Sequence, residues 1–129
     1  MATVCRIRVL LVEDQILVRQ SLRAVLQGYP NLEVIAEAAD GEEALHYVEK
    51  AKPDVVLMDI NMPKMDGVAA TRRIKSEFPD VAVVGITITA EGYHQSAMRR
   101  AGAYEVLSKT KTGLQHLYAT IQNAATRDA

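Results

Sequence analysis

The chain has 129 residues, 49% of them hydrophobic, a size and composition at which one domain buries a proper core without metals or disulfides. Its formal charge of −1, with no long run of one sign, excludes a surface that grips nucleic acid or anionic membrane by its field alone. The lone Cys5 excludes an internal disulfide, the histidines at 46, 94 and 116 lack zinc-site spacing, and the apolar runs fall far short of the roughly 20 residues of a membrane span, so with no secretory leader pattern a cytoplasmic location is expected.

Apolar runs of strand length alternate with segments of helical period, and Gly, Pro or Asp marks each change, as in an α/β domain whose parallel sheet is joined by crossover helices. The first strand is predicted over Ile7–Val12, apolar except at Arg8 and suited to a centre strand. A helix follows with Val18, Leu22, Val25 and Leu26 on one stripe, ending at Gly28 before Pro30. The second strand spans Leu32–Ala36, and the next helix, Gly41–Ala51, turns Ala44, Leu45 and Val48 inward before Pro53. Further strands fall at Val55–Met58, Val81–Ile86 and Tyr104–Leu107, separated by helices near Val68–Glu77 and Glu91–Ala101. The last helix is expected to pack Leu114, Leu117 and Ile121, with polar Thr126, Arg127 and Asp128 fraying at the close. Such a unit has several possible strand orders, among them the flavodoxin-like 2-1-3-4-5, and periodicity does not choose between them.

In open α/β sheets ligands bind beyond the carboxyl ends of the strands. Here those ends carry Glu13 and Asp14, then Asp59, Thr87, and finally Ser108 with Lys109. An acid at one strand end is usually a helix cap, and Asp14 or Asp66 alone would read that way. Three clustered carboxylates are different, because unit charges ~4 Å apart repel by about 4 kcal/mol at an effective dielectric of 20. A hard divalent ion relieves this, and Mg²⁺ is commonly held by one or two carboxylates with waters and a phosphate. The set therefore points to Mg²⁺ and a phosphoryl group. Asp59 closes a fully apolar strand between the acidic pair and Lys109, which makes it the candidate phosphoryl acceptor. Glu13 and Asp14 become metal ligands with Asp59, the backbone carbonyl of Asn61 can complete the sphere, and Thr87 and Lys109 can meet phosphoryl oxygens.

These residues, in LLVEDQ, DVVLMDINMPKMDG, GITIT and YEVLSK, give the chain its resemblance to the receiver domains of two-component response regulators, over residues 6–124. The stretches VRQSLRAVL, VIAEAADGEEAL and MDGVAATRRIK are most similar to receivers of the NarL/LuxR type. The resemblance implies a flavodoxin-like (βα)₅ sandwich with sheet order 2-1-3-4-5. It also implies phosphoryl transfer from a sensor histidine kinase to Asp59 with Mg²⁺, slow self-hydrolysis rather than enzymatic turnover, and homodimerisation on phosphorylation. A signal would leave through the fourth helix, fifth strand and fifth helix. DNA contact would come only through an attached output domain. The sequence has no helix-turn-helix, so it reads as an excised receiver, favoured by its NarL-like character, or a stand-alone one, with residues 125–129 a tail or linker start.

The sequence departs from the family in several places. The acidic pair is Glu-Asp where many relatives have Asp-Asp, and Thr110 replaces a common proline after the lysine. Val106 stands where an aromatic is usual, with Tyr104 two positions earlier. Thr89 competes with Thr87 for the hydroxyl role, and gapless counting from Lys109 selects Thr87. Among rivals, a haloacid-dehalogenase-like phosphatase would need an acid at Asn61, a receiver that docks without phosphorylation would lack some of the chemical set, and an FMN carrier would need a phosphate loop after the first strand.

Overall fold

A computed structural model describes residues 6–62, 64–87, 93–110 and 112–126. Along them run β1 (Ile7–Val12), α1 (Ile16–Gln27), β2 (Leu32–Ala38), α2 (Gly41–Ala51), β3 (Val55–Asp59), α3 (Gly67–Glu77), β4 (Ala82–Thr87), α4 (Tyr93–Ala101), β5 (Glu105–Ser108) and α5 (Leu114–Thr126). The strands pair in parallel in the order β2-β1-β3-β4-β5, the flavodoxin-like solution. Register sets Val12 beside Met58, Asp59 beside Ile86 and Thr87 beside Ser108, so the polar strand ends lie along one edge of the sheet.

Strand residues alternate between two apolar layers, as the period of two requires. Leu10, Val12, Val56, Met58, Val83 and Val106 pack with Ala44, Val48, Ala70, Ile74 and Met98 from α2, α3 and α4. Val9, Leu11, Val55, Leu57, Val84, Ile86 and Leu107 pack with Leu26, Leu117 and Ile121 from α1 and α5. Strands covered on both faces read as continuous apolar runs, which is why β1 and β3 stand out in the sequence. At the far end of the sheet α5 is tied down by Tyr118, whose ring stacks on Tyr29 with centroids 4.0 Å apart and whose hydroxyl donates to Asn31 Oδ1 at 2.6 Å.

The segment after β3 is seated by two close backbone approaches. Asp40 caps α2 by accepting from the Glu43 amide, and Asp66 caps α3 by accepting from the Ala69 amide, each at 2.9 Å. The first residue of each helix is glycine. A Cβ at Gly67 would lie 2.3 Å from the Asp59 carbonyl oxygen, and one at Gly41 would lie 2.3 Å from that of Met65. Only a residue without a side chain lets α3 start so near the end of β3 and α2 so near the segment that follows it.

Several predicted boundaries shift. β2 runs two residues longer than expected, β3 takes in Asp59, and β4 and β5 start and end one residue later. Gly28 does close α1, but with φ of −70°, so no left-handed turn is used there. Positive φ instead follows α2, at Lys52 (49°), and α4, at Gly102 (112°). Leu114 does not pack as expected: it opens α5 and stays 55% exposed, leaving Leu117 and Ile121 to hold the helix. Of the closing residues expected to fray, Thr126 is still the last residue of α5, whose Ala124 is buried, while 127–129 lie outside the described residues. Thr89 and the predicted helix start at 91–92 lie outside the described residues. Among the described residues no helix is long and apolar enough to cross a membrane.

Candidate functional site

Asp59 ends β3 and is 3% exposed, and Glu13, one residue past β1, is fully buried. Asp14 follows in the turn into α1. One oxygen from each carboxylate falls within 4.8 Å of the others, and among the described residues this is the one grouping of three potential metal ligands. Lys109 reaches in from the end of β5, with Nζ 2.6 Å from Glu13 Oε1 and 3.2 Å from Asp59 Oδ1. Its own amide donates to the Thr87 carbonyl at 2.7 Å, which fixes the lysine to the neighbouring strand. A cleft of about 360 Å³ opens over the group, lined by Asp14, Gln15, Val18, Asp59, Asn61, Lys109 and Thr110. Glu13 and Thr87, both buried, sit behind it.

Each buried charge is held on several sides. Glu13 donates its amide to the Ala38 carbonyl at 3.0 Å, and its Oε2 accepts from the Gln15 amide at 3.1 Å. Burial, and next the charge of Glu13, push the Asp59 carboxyl from its ordinary 3.8 up to about 7, against the opposing pull of Lys109. Burial alone would lower the Lys109 ammonium, but its hydrogen bond to Glu13 and the neighbouring carboxylates raise it above the usual lysine value. Lys109 therefore stays a cation.

When all four groups are ionised, the three carboxylates outweigh the single ammonium by two charges. An all-oxygen set with that excess suits a hard divalent cation such as Mg²⁺. Thr87 supplies a second indication: its Oγ1 is buried with no hydrogen-bond partner among the described residues, a state that costs about 1–3 kcal/mol. Together the donor set and the unpartnered hydroxyl fit a metal with an oxygen-rich anion.

The sequence-predicted Glu13, Asp14, Asp59 and Lys109 are thus brought together, Thr87 lies on the adjoining strand, and Asn61 borders the cleft with its amide 3.4 Å from Asp59 Oδ1. Sequence reasoning missed Gln15 and Val18 as cleft walls, although both follow directly from the acidic pair on a helix start. In the sequence Thr110 reads only as a replacement for proline. Here it belongs to a hydroxyl-built turn in which the Thr110 amide bonds Ser108 Oγ at 3.2 Å and the Ser108 amide bonds Thr112 Oγ1 at 3.1 Å.

Against known families, residues 9–122 match the response regulator receiver domain. The sequence is 39% identical over 104 residues to the transcriptional regulatory protein DegU of Brevibacillus brevis, covering 81% of this chain and 44% of that protein. It is 38% identical over 121 residues to protein-glutamate methylesterase/protein-glutamine glutaminase 2 of Pseudomonas syringae pv. tomato, covering 93% of this chain and 33% of that one. The chain thus spans less than half the length of either relative. The fold superposes on the signal receiver domain of NarL from Mycobacterium tuberculosis with a TM-score of 0.87 at 28% identity, covering 95% of this chain and 99% of that one.

Proposed function

This chain belongs to the response regulator receiver family, and from that premise we propose that Asp59 is its phosphoryl acceptor, with Asp14, Asp59, the Asn61 carbonyl and Glu13 as the groups that hold Mg²⁺. The observation that carries the reading is the convergence of three carboxylates within 4.8 Å, with Lys109 bridging two of them. The bond formed joins an Asp59 carboxylate oxygen to phosphorus, and the bond broken is the phosphorus–nitrogen bond of a kinase phosphohistidine, whose imidazole leaves. Mg²⁺ supplies charge neutralisation on the transferring oxygens. Lys109 turns part of its ammonium toward a phosphoryl oxygen, and the Thr87 hydroxyl, which has no partner among the described residues, donates to another.

The phosphodonor protein is a sensor histidine kinase. Ile16 and Leu17, 60% and 77% exposed on the first turn of α1 next to Asp14 and Gln15, offer an apolar shoulder for it to cover. The receiver unit takes in residues 6–124, with α5 running on to Thr126. The phosphorylated form pairs with a second copy and governs an output domain, through which alone DNA is met, in the cytoplasm. The chain catalyses only its own phosphorylation and dephosphorylation. Incubation with a small acyl phosphate, with and without Mg²⁺, tests the core of this: a Mg²⁺-dependent, acid-labile phosphate mapped to Asp59 is expected, and phosphate elsewhere or none would overturn it.

A further inference from the structure

Helix α1 lacks the usual local means of fixing its own start. Gln15, at its N-cap, makes no side-chain cap bond, and no acidic residue stands in the first turn. Yet the acidic pair lies in the turn entering this helix. A side chain one turn further on holds it. Arg19 Nη1 donates to the Glu13 carbonyl oxygen at 2.8 Å, while Arg19 Nε donates to Glu37 Oε1 at 3.1 Å. Glu37, the penultimate residue of β2, accepts Arg23 Nη1 on its other oxygen at 2.5 Å. The Arg19 and Glu37 side chains are 20% and 24% exposed, so their contact is partly shielded from water.

We propose that Arg19 is a positioning residue for the metal and phosphoryl site. The peptide joining Glu13 to Asp14 is planar, so holding the Glu13 carbonyl sets the direction in which the Asp14 backbone, and with it the Asp14 carboxylate, leaves the turn. The Glu13 amide is bonded on the other side to the Ala38 carbonyl at 3.0 Å, so this backbone is gripped from β2 and from α1 at once. Glu37 anchors the guanidinium, and Arg23 shares that anchor without touching the site. A planar fork with donors on two edges can serve carbonyl and carboxylate together, whereas a lysine reaches one of them at a time.

The inference rests on the site reading above, and its test separates the two. Arg19→Gln, Arg19→Lys and Arg23→Gln are compared with the parent in Mg²⁺ affinity by NMR titration, in thermal unfolding, and in hydrogen exchange of the Asp14 and Gln15 amides without metal. Arg19→Gln is expected to weaken Mg²⁺ about tenfold, in the range seen when a residue supporting a metal ligand is removed, and to speed both exchange rates. Arg19→Lys keeps the parent's unfolding midpoint but not its Mg²⁺ affinity, and Arg23→Gln leaves affinity and exchange within about twofold. Equal losses in Arg19→Gln and Arg23→Gln, or parent-like exchange and affinity in Arg19→Gln, would overturn the positioning role. A parent that binds no Mg²⁺ would instead overturn the site reading, and the metal-free exchange would still decide whether Arg19 holds the turn.

Discussion

Lys109 lies nearer to Glu13 than to Asp59, with Nζ 2.6 Å from the one carboxylate and 3.2 Å from the other. The lysine thus neutralises a fully buried acid 96 residues away in sequence before it meets any phosphoryl group. Lys109→Ala leaves Glu13 without its cation and is expected to cost about 3–5 kcal/mol of stability by urea unfolding, as well as phosphoryl acceptance. Replacing Glu13 in the same chain by Leu should restore most of the stability and none of the acceptance. A single variant as stable as the parent would show that Glu13 is not held by this pair.

Metal-free stability should depend on pH through Asp59. The native carboxyl keeps its proton to about pH 7, while the unfolded one releases it near 3.8. Between those values the native state binds more protons, so stability falls as pH rises through that window and levels off above it. Asp59→Asn removes this slope, gains about 1–3 kcal/mol over the parent near neutral pH without metal, and accepts no phosphoryl group. Urea unfolding of both proteins in chelator across that pH range checks the sign, and parallel curves would contradict the raised carboxyl.

Mg²⁺ affinity should follow Asp14 more than Glu13, because Asp14 faces the cleft while Glu13 is buried behind it and bonded to Lys109 and the Gln15 amide. Asp14→Ala is expected to weaken Mg²⁺ more than about tenfold, or ~1.4 kcal/mol, and Glu13→Gln less. Titration followed by NMR ranks the two, and the reverse order would reassign the ligand.

Thr87 and Val106 should separate signal from packing. Val106 is 4% exposed and packs in the layer holding Met98, whose terminal methyl occupies the space a side chain at Gly85 would take. Val106→Ala is expected to cost ~2 kcal/mol yet leave the shifts on α4 induced by beryllofluoride largely in place. Thr87→Ala deletes a buried hydroxyl that has no partner among the described residues, so it should be near neutral for stability, permit phosphorylation of Asp59, and abolish those shifts. Full shifts in Thr87→Ala would place the signal elsewhere.

The parts of this structure legible in the sequence are those set by near neighbours or by burial on both faces. β1 and β3 declare themselves as apolar runs, and their polar ends mark the site because little else explains acids there. Strand order needed the family resemblance. The unread parts depend on where distant segments meet. Leu114 has the right helical spacing to be buried, yet α5 begins there and leaves it exposed. Arg19 reads as an ordinary surface residue of a helix, and only the approach of β2 gives its guanidinium Glu37 as well as the Glu13 carbonyl. Nothing local says that Lys109 bonds Glu13 first, or that the Thr87 hydroxyl has no partner among the described residues.

The Tyr29–Tyr118 stack gives the protein an optical gauge of its own. With no tryptophan in the chain, near-ultraviolet absorption falls to the tyrosines, and two rings 7° from parallel at 4.0 Å have interacting transitions that produce circular dichroism. One ring stands just past α1 and the other on α5, so the signal reports whether the last helix is docked. Followed beside the far-ultraviolet helical signal during unfolding, it distinguishes an α5 that peels away first from a domain that melts as one body.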